Sequence, residues 1–374
     1  MSIEVHILGT AGARPSSTRQ VSGSLVSCEE GIVVVDAGEG FQTRFLQQRK
    51  RMKRHEDYHL KPSKVAVLCL SHGHLDHTWG VLPWLQSMAL DNRKQPLLIL
   101  GPTTNLVIDA LLNNRPLPDE MPNSDLAIQF QFWQQLGAFS SNLGYPVRWV
   151  LGAVEESRWI EFQEGGKVVE LSDMPQPEGW YLNRIEALPT VHSMPSCAWQ
   201  LSAFAKPGKF DRAMAEELKL TDSERGKLAA GEDIEHNGEL LLSKNFRGQG
   251  SSPLSVVISG DTSEMASGII SLDNCSVLIH EATFLDEYSK HADDYLHSTA
   301  SGAARTAIQC GAGHLVLTHY GARIKDTNES KSEAIKVLAN SEISVTAADD
   351  GDRILVDDNG DVLHLSWTGN GWNS

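Results

Sequence analysis

Within the run Val65–Pro83, VAVLCLSHGHLDHTWGVLP, three histidines and an aspartate occupy four of the six positions from His72 to His77. They follow an apolar stretch that reads as a buried strand, so each tip stands at the end of a rigid support, as a metal ligand requires. The alternation places His72 and His74 on one side of a tight turn. Asp76 and His77 then reach a second point a few ångströms away, which fits two cations about 3.5–4 Å apart. Imidazole and carboxylate donors with no thiolate suit zinc and tolerate manganese or iron. A lone histidine is ordinarily a hydrogen-bonded core or surface residue, and His6, His55, His59, His236, His291, His314 and His364 are read that way. The clustered donors differ, because burying them without a cation would leave several polar groups unpaired.

The elements that must position this cluster are legible as short β-branched runs bounded by Gly, Asp or Asn: EVHILG, GIVVVDAG, KVAVLCLSH, PLLILGP, LSVVISGD, CSVLIHEA, HLVLTHYG and EISVTAADDG. A polar or charged residue closes most of them. Helical patterns lie between, at 40–51, 104–113, 298–310 and 330–340. Sheets with helices packed outside, an α/β architecture, follow from that alternation. No long low-complexity linker and no fixed-period repeat interrupts the chain, so residues 1–374 are expected to form one domain. The segment 206–249, polar and helix-prone and then Gly-rich, reads as an excursion from the body that returns at SVVISGDT.

The net charge of −16 excludes a generally sticky nucleic-acid binder, because affinity for phosphates comes from Lys and Arg. One local exception is Arg44–Lys64, with eight basic residues against Glu56 and Asp57, a net of +6. It is either a solvated face or a surface for RNA. The start, MSIEVHILGTAG, has Glu4 where a signal peptide needs a basic flank, and no apolar run is long enough to span a membrane. Five scattered cysteines without C-x-x-C spacing argue against a disulfide framework and for a reducing cytoplasm, with no membrane partner.

The motif H-x-H-x-D-H after a strand resembles the metallo-β-lactamase superfamily. That resemblance implies an αβ/βα four-layer sandwich with a dinuclear metal site along one edge of its sheets. It also implies further ligands at strand ends, and the chain supplies His192 in LPTVHSMPSC, Asp261 in VISGDTSEM and His319 in LVLTHYGAR. By resemblance, His72, His74 and His192 hold one zinc ion, Asp76, His77 and His319 hold the other, and Asp261 bridges them. Asp36 in VVVDAGEG resembles the early buried aspartate that supports such a site from behind.

Further blocks resemble the ribonuclease Z family, endonucleases that remove the 3′ trailer from precursor tRNA. They include LGTAGARPSSTRQVSGSLV, VVVDAGEGFQTRFL, KPGKFDRAMAEELKL, HEATF, HSTA and LTHYGAR, and they run in family order over nearly the whole chain. The G-K-F arm with HEATF and HSTA is the specific part. The resemblance implies the short, homodimeric form, with 206–249 as a protruding arm that binds tRNA. The chain departs from the family at Arg19-Gln20, where Arg-Asn is usual, and in LTDSERGKL, which lacks a Gly-Pro pair. The region 113–180 is longer and more acidic than a compact short form needs.

Phosphodiester hydrolysis requires a nucleophile at neutral pH, charge neutralisation on the phosphoryl oxygens and a proton for the leaving oxygen. By resemblance, Asp76 is ligand and general base, His297 in HSTA protonates the leaving 3′ oxygen, and Glu281 in HEATF orients His297. Two other readings stand beside these: His297 flanks a helix N-terminus capped by Ser298 or Thr299, and Glu281 is a buried structural acid. The alternative function is a small-molecule hydrolase of the same superfamily, acting on cyclic nucleotides, lactones or aryl sulfates.

Overall fold

A computed structural model gives the fold, and it describes residues 3–248 and 250–374. Two sheets face each other. The larger has eleven strands, ordered from Trp372–Asn373 through Val362–Trp367, Arg353–Val356, Ile3–Gly9, Gly23–Ser27, Ile32–Val35, Val65–Cys69, Leu97–Pro102, Val147–Ala153 and Arg158–Phe162 to Val168–Leu171. The smaller has six: Ser344–Ala347, Ala312–Thr318, Cys275–Glu281, Leu254–Ile258, Cys197–Ala203 and Asn183–Pro189. Because side chains alternate along a strand, each central strand feeds two cores. Val5, Val33 and Val67 meet Trp199, Val256 and Val277 between the sheets. The opposite face of the large sheet buries Val34 and Leu68 against Phe45, Trp84 and Phe130 of the covering helices. That of the small sheet buries Leu278 and Leu315 against the alanine-rich helix Ala300–Gln309. The result is the expected four-layer αβ/βα sandwich.

Several strands lie outside the apolar runs of the sequence. Arg158–Phe162, RWIEF, mixes charge with aromatics because it lies near the open edge of the large sheet and pairs antiparallel on both sides. It falls in the acidic region 113–180, which therefore extends the sheet rather than standing apart from it. Helix ends move by a few residues: 40–51 becomes Phe41–His55, and 330–340 becomes Thr327–Leu338, capped by the Asp326 side chain. Among the described residues, no helix is long and apolar enough to cross a membrane.

The excursion 206–249 forms two short helices, Arg212–Glu217 and Asp222–Ala229, and a hairpin pairing Ile234–His236 with Glu239–Leu241; its last residue, Gln249, lies outside the described residues. Thr221 and Glu224 make a reciprocal capping box that starts the second helix. Ala215, Leu220, Leu228, Ile234 and Phe246 form a small core of their own, separate from the three clusters of the body. Phe246→Ala should therefore loosen this segment alone, removing roughly 3–5 kcal/mol from its local stability. Hydrogen exchange should quicken across 206–248 while the melting transition of the body stays in place. A lowered main transition would mean that the segment shares the body's core.

Candidate metal centre

Each clustered donor lies just past the C-terminal end of a strand. Val65–Cys69 delivers His72 to His77, and in the small sheet Asn183–Pro189, Leu254–Ile258 and Ala312–Thr318 deliver His192, Asp261 and His319. Those three strands share one direction, since Asn183–Pro189 reaches Leu254–Ile258 through two antiparallel steps and the remaining pairings are parallel. The structure brings all seven side chains together in two groups. In the first, His72 Nε2 is 2.9 Å and His192 Nε2 is 3.2 Å from His74 Nδ1. In the second, His77 Nε2 and His319 Nε2 are 3.3 Å apart, with Asp76 Oδ2 at 3.5 and 3.6 Å from them. Asp261 serves both. Its Oδ2 lies 3.7 Å from His72 Nε2, and its Oδ1 lies 3.2 and 3.1 Å from His77 and His319.

The far side of each ring fixes which nitrogen carries the proton. His77 Nδ1 faces Asp36 Oδ2 at 2.7 Å, His72 Nδ1 faces Ser71 Oγ at 3.0 Å, His192 Nδ1 faces the Leu296 carbonyl at 3.0 Å, and His319 Nδ1 faces Thr283 Oγ at 2.9 Å. The Ser71 and Thr283 hydroxyls donate onward to Asp36 Oδ2 and Glu281 Oε2, at 2.8 and 2.6 Å, so they accept from the imidazoles. The four Nε2 atoms therefore turn lone pairs inward. Lone pairs at 3.3 Å repel unless a proton or a cation lies between them. Two nitrogens held tetrahedrally by zinc at about 2.0–2.1 Å stand about 3.3 Å apart, so the spacing fits that group. Asp261 Oδ1, fully buried, has no hydrogen-bond partner, which leaves its lone pairs to a cation as well.

Electrostatics agree. Burial opposes a charge on His77, but Asp261, Asp36 and Asp76 override it and push its pKa well up, so without a cation the ring would take a second proton at the nitrogen a cation would otherwise bind. Three carboxylates thus draw positive charge to this corner. Burial also opposes ionisation of Asp76, and the neighbouring His77 and His319 imidazoles outweigh it and hold its carboxyl down at about 2. The Ala13 amide donates to Asp76 Oδ2 at 2.9 Å. The arrangement is tight: a Cβ on Gly38 would stand 1.9 Å from the Asp76 carbonyl. Asp36 and His319 both hold left-handed backbone, at φ 59° and 57°, a local strain that the surrounding bonds sustain.

Beside the ligand groups, His297 Nδ1 is bonded to Glu281 Oε1 at 2.7 Å and lies 4.0 Å from Asp261 Oδ2. Glu281 is buried and also accepts from the Thr262 and Thr283 amides. Burial disfavours charge on His297; Glu281, through its charge and hydrogen bond, and Asp261 outweigh that and raise the imidazole to about 9. Thr299 does cap the helix Ala300–Gln309, so His297 flanks that helix and meets Glu281 at once. Both groups open on a cavity of about 890 Å³ whose wall includes Arg14, Phe284, Tyr288, Tyr295 and Arg323.

Sequence reading did not single out Ser71, Thr283, the Ala13 amide or the Leu296 carbonyl. Ser71 adjoins the histidine motif and Thr283 lies within HEATF, so both were within reach. The two backbone groups leave no sequence signal. The histidines set aside as structural stay outside the ligand groups: His236 meets Glu224 at 2.8 Å, His364 meets Asp352 at 2.8 Å, and buried His6 lies 3.2 Å from Gln48.

A sequence model of the metallo-beta-lactamase superfamily matches residues 17–88, which include the histidine motif. Ribonuclease Z of Methanosarcina mazei is 29% identical over 325 residues, spanning 87% of this chain and 89% of that protein. Ribonuclease Z of Borreliella burgdorferi is 25% identical over 369 residues, spanning 97% and 100%. The crystal structure of human tRNase Z, short form, superposes with a TM-score of 0.51 at 20% identity, covering 95% of this chain and 99% of that one, a likeness of fold. The two groups of donors meet on Asp261, and in sequence the chain is similar to proteins named ribonuclease Z over nearly its full length and to the metallo-β-lactamase superfamily over residues 17–88.

Proposed function

We infer that the protein is a metal-dependent endoribonuclease that hydrolyses precursor tRNA to remove its 3′ trailer, leaving a 3′-hydroxyl on the tRNA and a 5′-phosphate on the trailer. The observation that carries this reading is the His297–Glu281 pair held 4.0 Å from Asp261, a proton donor beside a two-group ligand set. Relatives named ribonuclease Z over nearly the full length support the choice of substrate. His72, His74 and His192 form one ligand group and Asp76, His77 and His319 the other, with Asp261 shared. Two divalent cations, zinc by donor type with manganese or iron tolerated, lower the pKa of a water and offset phosphoryl charge when bound. Asp76, ionised at neutral pH and steadied by the Ala13 amide, orients the attacking water and accepts its proton. His297 gives a proton to the departing ribose 3′ oxygen, and Glu281 keeps the imidazole charged and aimed.

The chain works as a homodimer in this account. Leu75, Trp79, Phe132 and Leu136 are exposed on two helices joined by the Thr78–Gln129 hydrogen bond, an apolar face of the kind a second copy covers. The segment 206–249, with its own core and no net charge over 206–232, contacts the body of the tRNA. The five free cysteines fit the reducing cytoplasm as its compartment.

Purified protein should cut a precursor tRNA at the trailer junction and act far less on cyclic nucleotides, aryl sulfates and lactones. Turnover of one of those small substrates with an intact precursor would select the small-molecule reading instead. His297→Ala should lower kcat on RNA by roughly 10²–10⁴-fold, while a p-nitrophenyl phosphodiester, whose leaving group needs no proton, loses much less. Because the imidazole is protonated below about 9, wild-type kcat on RNA should fall as pH rises through that value, and the variant should lack that limb. Equal loss on both substrates would remove His297 from the role of donor.

A further inference from the structure

The basic run singled out in the sequence resolves into charges that are spent and charges that are not. Arg44 is paired with Asp350 at 2.6 Å, and Arg51 lies over the Trp367 ring at 4.3 Å. Of the two acids in the run, Glu56 is occupied by Arg353 Nη1 at 3.1 Å. Arg49, Lys50, Lys53 and Arg54 remain exposed on the outer side of the helix Phe41–His55, and Lys61 and Lys64 stand exposed just beyond it. Among the described residues, none of these six is ion-paired.

A solvated helix face ordinarily mixes signs, and this helix contains no acid at all. The i,i+4 pairs Arg49–Lys53 and Lys50–Arg54 are both like-charged and mutually repulsive. The helix dipole favours Lys53, Arg54 and His55 in the last turn, but it does nothing for Arg49 and Lys50, nor for the lysines past the end. The concentration of positive charge is thus not explained by the helix, and it sits on a chain of net −16 that repels polyanions elsewhere.

Position gives it a use. The helix begins three residues after Gly38, whose backbone is packed against Asp76 at the metal centre. At 1.5 Å per residue, the four helical charges lie roughly 12–20 Å along the axis from Phe41, leading away from the site. Successive pairs are separated by about 6 Å of axial rise, the order of spacing of neighbouring phosphates on one strand.

We propose that Arg49, Lys50, Lys53 and Arg54, with Lys61 and Lys64, form a phosphate-binding surface for the helical body of the RNA substrate, remote from the metal centre. This rests on the ribonuclease reading above. The surface contributes sequence-independent attraction and registers the RNA stem so that its 3′ junction reaches the cavity; no base is read there.

The test compares wild type with the quadruple variant Arg49→Gln, Lys50→Gln, Lys53→Gln, Arg54→Gln, and with Lys50→Arg, Lys53→Arg as a charge-keeping control. With precursor tRNA at low salt, the glutamine variant should raise KM at least about tenfold with kcat little changed. Its log KM against log salt should be shallower by about one unit for each phosphate that the variant no longer neutralises. The arginine control should match wild type in both, and hydrolysis of a small p-nitrophenyl phosphodiester should be equal in all three proteins. An unchanged KM and salt slope, with wild type cleaving precursor tRNA, would overturn the proposal and leave the patch to an acidic protein partner. A wild type that hydrolyses the small diester but never the RNA would instead defeat the ribonuclease reading on which the proposal stands.

Discussion

The structure depends on one carboxylate, Asp261, which turns an oxygen to each of two groups of inward lone pairs. Such a cluster is unfavourable on its own: the imidazole protons are tied up behind by Asp36, Ser71, Leu296 and Thr283, and the buried acids have too few donors. Positive charge between the groups relieves both problems. The sandwich fold follows this demand in the sense that it supplies rigid strand ends from two facing sheets, so that ligands distant in sequence meet with little freedom to drift. Gly38, with no room for a side chain against the Asp76 carbonyl, shows how closely the loops must pack to do so.

Much of this was legible in the sequence, and the reasons are physical. Donor side chains at the end of a rigid strand show directly as residue types and spacing, as at His72–His77, and the structure gathers them with His192, Asp261 and His319. Strands buried on both faces, such as Ile32–Val35 and Val65–Cys69, write themselves as apolar runs. Strands toward the sheet edges do not: Arg158–Phe162 and Val362–Trp367 carry charge or remain half exposed, and only pairing with neighbours makes them strands. Hydrogen bonds to backbone groups, such as that from His192 to the Leu296 carbonyl, have no residue type to betray them.

The separation of tasks is equally physical. Bond cleavage occupies a small, rigid, buried edge where distances of a few tenths of an ångström matter. Holding a large polyanion requires extended, solvent-facing elements, and on a chain of net −16 these must be the few places where the field is not negative. The basic helix Phe41–His55, anchored in the core of the body, is one such place, and the stretch 206–232, with no net charge, is another.

The metal centre is tested most directly by the metal content of the purified protein, measured by elemental analysis before and after dialysis against a chelator, with Asp261→Asn alongside. Two donor groups sharing Asp261 should give about two divalent ions per chain in the wild type, loss of phosphodiester hydrolysis on chelation with recovery on adding zinc, and a clear deficit in the variant. A content near zero, with hydrolysis undiminished by the chelator, would contradict this expectation.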